Sequence, residues 1–153
     1  WNRGLVVVVS AGNYGPGAGS VAVPGTSRKV ITVGVPDTEL PPVQRRRKNV
    51  NYSGRGPTGE CVVKPDVFAP GTGVISCNGR DGRPGEHPYT MKTGTSMATP
   101  VVSGAVACLL SKYPDMTNVE VKLRLREACV RLPGTGCGWG MLNVARLLND
   151  NLG

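Results

Sequence analysis

At 153 residues, with 39% hydrophobic content, the chain is the size of one modest globular domain, and its 22 glycines and 13 prolines call for short elements joined by tight turns. The formal charge of +8 does not point to nucleic acid: the basic residues gather in the loop Arg45 to Lys48 and around Lys122, Arg124, Arg126 and Arg131, without interleaved aromatics for base stacking. No apolar run is long enough to span a bilayer.

In chain order, Trp1 is not a translation start, so sequence upstream of it is expected. Trp1 to Gly4 reads as the tail of a helix, with Gly4 suited to the left-handed residue after its end. Residues 5–10 form a continuously apolar run ending in Ser10, the pattern of a parallel strand covered on both faces, which needs helical crossovers. Gly12 to Gly25 is a loop whose glycines let backbone approach a ligand closely. A strand is expected at 30–35, and the polar, proline-rich stretch Pro36 to Asn51 is a surface excursion with Arg45 to Lys48 as its solvated tip. Short strands follow at 66–69, 73–77 and 89–93, the last two as a hairpin through Asn78 to Pro88.

The run from Met97 to about Lys112 is apolar almost all round, which predicts a helix buried on every side with Cys108 as a small core residue. Pro100 falls in its first turns, where early N–H groups lack intrahelical partners. Thr117-Asn118-Val119-Glu120 has the capping-box pattern and opens a helix to about Val130, its apolar side drawn from Val119, Leu123 and residues 125–129. A glycine-rich turn and a closing helix at 143–148 end the chain. The five cysteines show no C-x-x-C spacing, so a zinc site is not indicated. Cys129 and Cys137 could close a short loop in an oxidising compartment, which the sequence leaves open.

Lys92-Thr93-Gly94-Thr95-Ser96-Met97-Ala98-Thr99-Pro100 delivers Ser96 to the first turn of the long helix. A serine there lies among unpaired N–H groups at the positive end of the helix dipole, where developing negative charge is stabilised; an ordinary N-cap uses the same residue type. Gly-Thr-Ser-Met-Ala-Thr-Pro, with Ser103-Gly104 after it, closely resembles the serine motif of the subtilisin-like serine proteases, the subtilases. Val6 to Asn13 resembles the strand and turn where that family carries its oxyanion-hole asparagine. Val30 to Gly34, Tyr52 to Pro57 and Lys64 to Gly71 resemble its intervening strands and turns, so the likeness runs from Val6 to about Ala145.

The resemblance implies an α/β, three-layer subtilisin-like fold with a mostly parallel sheet. Residues 1–153 would be the C-terminal part of a single catalytic domain, supplying its last strands and helices. It implies Ser96 as nucleophile and Asn13 as oxyanion-hole donor beside the Ser96 backbone N–H. Ser10, Ala11, Gly12 and the turn from Ala22 to Gly25 would line the pocket for the residue before the scissile bond, with Tyr14 at its rim. Ala22 is small and these stretches hold no acidic residue, so an apolar or uncharged substrate side chain is expected. Thr93 and Val101 depart from the Asn and His usual in the family, which bears on leaving-side binding.

The general base is the missing part. The lone histidine, His87, sits in Gly85-Glu86-His87-Pro88-Tyr89, unlike the family's histidine motif, and Asp37 and Asp66 lie in other motifs. The family places its catalytic Asp and His before the asparagine segment, so they are expected from the N-terminal half of the same domain, upstream or as a separate chain. Two functions follow: a serine endopeptidase working through an acyl-enzyme on Ser96, or a non-catalytic subtilase-fold pseudoprotease acting as scaffold or regulator. Beyond that half, a peptide or protein substrate is the expected partner, and the resemblance favours an extracellular or cell-surface setting. No cofactor is required. Some relatives hold a structural cation, which would be calcium at Asp66 with carbonyls near Gly25 to Val30, although one carboxylate is few for calcium.

Overall fold

Three of the expected strands pair side by side and in parallel. The computed structural model describes residues 1–37, 52–79, 82–85, 87–133 and 137–149. Strands β1 (Val8–Ser10), β2 (Ile31–Gly34) and β3 (Val67–Phe68) form one sheet in the order β1-β2-β3. Val8 faces Ile31, Ser10 faces Val33, and Val33 faces Val67. β2 is central and buried along its whole length. Successive side chains alternate across a strand, so Ile31 and Val33 share one face and Thr32 takes the other. The surface loop from residue 38 to residue 51, including Arg45 to Lys48, lies outside the described residues.

The two edges of this sheet are finished differently. Beside β3, Phe68 N–H donates to Gly140 O at 2.9 Å and Leu142 N–H donates to Phe68 O at 2.8 Å, while Met141 exchanges two bonds with Val130. Residues 140–142 therefore close that edge. Among the described residues no strand pairs with the outer edge of β1. Leu5 is 64% exposed, and Val6 to Val9 are only partly covered. The expectation of a strand over residues 5–10 buried on both faces is thus corrected: three residues are strand, and one side of the run has no covering layer among the described residues.

The same correction applies to the long helix, α1 (Thr95–Lys112), which lies against β1 and β2. Ala98, Val102, Ala105, Val106 and Leu109 turn inward at the spacing of a helical stripe. Val101, Gly104, Ala107 and Cys108 are exposed. Composition made this helix apolar all round, but among the described residues only one side is covered, and Cys108 lies on the other, exposed side. Pro100 also stands deeper than the free N–H groups of the first turn. Its missing N–H leaves the Ser96 carbonyl without the donor that residue i+4 normally supplies.

Helix α2 (Asn118–Ala128) starts on the expected capping box: Thr117 Oγ1 accepts from Glu120 N–H, and the Glu120 carboxylate accepts from Thr117 N–H at 2.7 Å. Its buried residues are Asn118, Val121, Leu125 and Ala128, spaced at 3, 7 and 10. Val119 and Leu123, expected on the apolar side, are 50% and 51% exposed because they fall off that stripe. Asn118 Nδ2 donates to Trp1 O at 2.9 Å and Leu5 O at 3.2 Å, tying the start of the chain to α2. Gly4 is left-handed at φ 77°, with its N–H on Trp1 O. Helix α3 (Val144–Leu148), capped by Asn143, bridges α1 and α2. Strands β4 (Val74–Cys77) and β5 (Tyr89–Lys92) make the expected antiparallel hairpin, with Ile75, Tyr89 and Met91 well exposed.

All five cysteines are free thiols, so no Cys129 to Cys137 bridge is formed. Cys129 is buried at the end of α2, and burial pushes its thiol up from 9.0 to about 11. Iodoacetamide at pH 8 is expected to alkylate the exposed Cys61 well before the buried Cys129, read by a peptide mass-spectrometric time course. Between pH 9 and 11 the unfolded chain releases the Cys129 proton while the folded chain keeps it, so this group lowers stability as pH rises through that window. Replacing Leu109, fully buried under α1, by alanine is expected to cost about 2 to 5 kcal/mol in chemical denaturation.

Candidate active site

Ser96 is the second residue of α1 and is exposed. Its Oγ makes no hydrogen bond among the described residues. The turn that presents it is held from below. Gly94 N–H donates to Gly71 O at 2.9 Å, and the buried Tyr52 hydroxyl donates to the same carbonyl at 3.2 Å and lies 2.9 Å from Thr72 Oγ1. Burial raises the Tyr52 pKa, opposed by hydrogen bonds with Thr72 and with the Gly94 backbone. Thr93 Oγ1 accepts from Gly73 N–H at 2.9 Å, fixing the exit of β5.

Asn13 reaches this turn from the end of β1. Its side-chain oxygen accepts from Thr95 N–H at 3.0 Å and from Thr95 Oγ1 at 3.0 Å. A backbone N–H can only donate, so the atom facing it must be the amide oxygen, and the flip of the Asn13 amide is settled by its partner. Nδ2 is thereby turned away from Thr95 and toward Gly94. A Cβ placed on Gly94 would lie 3.3 Å from Asn13 Nδ2 and 3.9 Å from Ser96 N. Asn13 Oδ1, held by Thr95, lies 3.8 Å from the same point, so two nitrogen donors and this oxygen border one small hollow, left because residue 94 has no side chain. The Ser96 N–H belongs to the first turn, where helix N–H groups lack intrahelical acceptors.

Beside the hollow, the remaining expected pocket residues assemble around Gly12. Ala22 N–H donates to Ala11 O at 2.8 Å, Gly54 N–H donates to Gly12 O at 2.8 Å, and Ser10 ends β1 directly before them. Gly12 is left-handed at φ 86°, and a Cβ there would meet the Ala22 Cβ at 2.7 Å and Tyr14 Cδ2 at 3.6 Å. Only glycine permits that approach. The structure therefore brings Ala11, Gly12, Tyr14 and Ala22 together, with Tyr14 80% exposed at the outside. Thr93 stands apart from this group, two residues before Thr95. Ser96 and Asn13 meet through Gly94 and Thr95.

The other polar residues noted in the sequence lie elsewhere. His87 is exposed in the β4 to β5 connection, its carbonyl accepting from Asn78 Nδ2. Asp37 pairs with Arg55 at 2.7 Å. Asp66 is buried in an ion pair with Lys64. Among the described residues no three His, Cys, Asp or Glu side chains converge as metal ligands. Thr95, which orients the asparagine, and Tyr52, which supports the turn, were not singled out in the sequence. Thr95 lay inside the serine motif, and Tyr52 opened the family-like segment Tyr52 to Pro57, but neither was given a role of its own.

Comparison with known proteins bears on this arrangement directly. The family model described as "Subtilase family" matches residues 1–140. The chain belongs to the subtilase family. It is 41% identical over 136 residues to the Serine protease AprX of Bacillus subtilis (strain 168), covering 83% of this chain and 30% of that protein. It is 33% identical over 144 residues to Subtilisin Savinase of Lederbergia lenta, covering 94% and 46%. Among solved structures, the prenylagaramide maturation protease PagA superposes with a TM-score of 0.71 at 25% identity, covering 96% of this chain and 50% of that one. The self-cleaved protease domain of PatA gives 0.67 at 26%, with the same coverage. This subtilase chain thus has the α/β fold of subtilisin-like proteases and spans half or less of these relatives.

The hollow over Gly94 gives a direct test. Gly94→Ala places a methyl group between the Asn13 and Ser96 nitrogens. Because Gly94 stands at φ 157°, where an L residue is strained, and the new Cβ would lie 3.3 Å from Asn13 Nδ2, the variant is expected to lower the melting midpoint by several degrees, read by thermal denaturation.

Proposed function

We propose that this chain carries the nucleophile and the oxyanion-binding half of a serine endopeptidase. Ser96 Oγ attacks the scissile carbonyl carbon, forming an O–C bond, while the hydroxyl proton passes to a histidine held by an aspartate. Both come from the N-terminal half of the same domain, as an upstream segment or a separate chain. The carbonyl oxygen becomes an oxyanion, held by Asn13 Nδ2 and the Ser96 N–H. Collapse breaks the C–N bond, the amine leaves with the proton from histidine, and water then hydrolyses the acyl-enzyme by the same route.

The observation that carries this reading is the hollow over Gly94. Two donors border it on the turn that presents Ser96, and one is locked in orientation by Thr95 before any substrate arrives. Preorganised donors stabilise developing charge without reorganisation during the reaction. The positive end of α1 adds to the same field.

Ser10, Ala11, Gly12 and Ala22 form the wall for the side chain preceding the cleaved bond, with Tyr14 at the rim and Thr93 toward the leaving side. The wall has no carboxylate, so apolar or uncharged residues are preferred to Arg or Lys. The N-terminal half covers the open edge of β1 and the exposed stripe of α1. An extracellular or cell-surface location accords with the same family reading.

Active-site labelling of the full-length protein with a fluorophosphonate tests the nucleophile. A single adduct on Ser96, lost in Ser96→Ala and absent after denaturation, is expected. No adduct on folded protein would favour the pseudoprotease reading instead. Asn13→Ala is expected to reduce kcat by about 10² to 10³-fold with KM little changed, a magnitude that belongs to subtilisin itself and is carried over with the family. A peptide library giving strict cleavage after Arg or Lys would refute the pocket assignment.

A further inference from the structure

On the Thr32 face of β2 lies a buried polar cluster that the proposed chemistry does not use. Lys64 has a fully buried side chain for its size, and its ammonium donates to Asp66 Oδ2 at 2.6 Å, Thr32 Oγ1 at 2.9 Å and Val30 O at 3.1 Å. Lys122, reaching over from α2, donates to Arg28 O at 2.8 Å and to the same Val30 O at 3.0 Å, and its Nζ lies 3.8 Å from Asp66 Oδ1. The indole rings of Trp1 and Trp139 stand 5.7 and 5.8 Å from that ammonium. Asp66 also accepts from Thr32 N–H at 2.7 Å, and its carbonyl accepts from Trp139 N–H at 2.7 Å.

This is the place where the family resemblance raised a structural calcium, and the donor set does not fit one. Calcium asks for six to eight oxygens. Here the candidate oxygens, Arg28 O, Val30 O, Thr32 Oγ1 and both Asp66 carboxylate oxygens, already face ammonium groups. The local formal charge is two positive against one negative, which repels a further divalent ion.

We propose that Lys64 and Lys122 are the built-in cations of this site, taking the oxygens a structural metal would need and fixing the loop from Gly25 to Thr32 without an ion. That loop joins the turn carrying Ala22 to the central strand, through Gly25 N–H on Ala22 O and Thr32 Oγ1 on Gly25 O. The two ammonium groups tie together the entry to β2, the turn before β3, and α2, with Trp139 closing the side. An ammonium suits carbonyl oxygens for the reason an alkali ion does, and its covalent tether means it cannot be extracted by a chelator.

The test has two parts on the full-length protein. In the first, the protein is titrated with terbium and excited in the indole band, since Trp1 and Trp139 are near enough to sensitise a lanthanide held at this site. No terbium emission that Trp139→Phe removes is expected; emission in the parent that Trp139→Phe abolishes overturns the proposal. In the second, Lys122→Ala is melted with and without n-propylammonium. A drop of ~5 °C that propylammonium reverses with saturation is expected, with no reversal by tetramethylammonium, which has the charge but no N–H. An unchanged midpoint, or recovery with calcium and not with propylammonium, overturns it. Lys122→Arg, which keeps the cation and its donors, is expected to retain most of the parent stability.

Discussion

The paired acceptance of Thr95 N–H and Thr95 Oγ1 by the Asn13 amide oxygen is the joint on which the site depends. It links the C-terminal end of the sheet to the first turn of the long helix. It also orients the amide: with the oxygen held by Thr95, the nitrogen is the nearer of the two amide atoms to the hollow over Gly94. A flipped amide would set its NH2 group against the Thr95 N–H and leave that helix N–H unsatisfied, so hydrogen bonding selects this orientation. The supports below, Gly71 O with its two donors and Thr93 on Gly73, keep the turn from sliding relative to that joint.

The sheet explains why such a joint can be rigid while much of the chain stays uncovered. β2 is buried throughout, and the β3 edge is sealed by residues 140–142 and Val130, so the site's foundation lies within this chain. The opposite side, the β1 edge with the Val101, Gly104, Ala107 and Cys108 stripe, presents a strand edge that no other strand pairs among the described residues, together with small apolar side chains. Such a surface favours strand addition and close helix packing, and in an isolated chain it is an aggregation hazard.

Much of this was legible in the sequence. The serine motif located the turn that opens α1, the apolar runs located the strands, and Thr117 with Glu120 located the start of α2. The errors share a cause. Periodicity reports what a segment is able to bury, not what is present to bury it, so α1 read as enclosed although one face has no neighbour here. On α2 the aliphatic residues Val119 and Leu123 outweighed Asn118 in the reading, whereas Asn118 is buried because its amide is satisfied by Trp1 O and Leu5 O. Lys64 could not have been found by composition at all. Its burial rests on Asp66, two positions on, together with acceptors from residues 30 and 32, more than thirty positions away.

The Asn13 to Thr95 contact has one more consequence. The two residues are separated by 82 positions, and their meeting requires β1 and β2 to be paired and α1 docked on both. Closing so long a loop costs chain entropy that only the finished packing offsets. A chain emerging from the ribosome, or one trapped half-collapsed, therefore carries a serine and an asparagine with no hollow between them. The site is timed by topology: its parts meet only when the long-range architecture is complete.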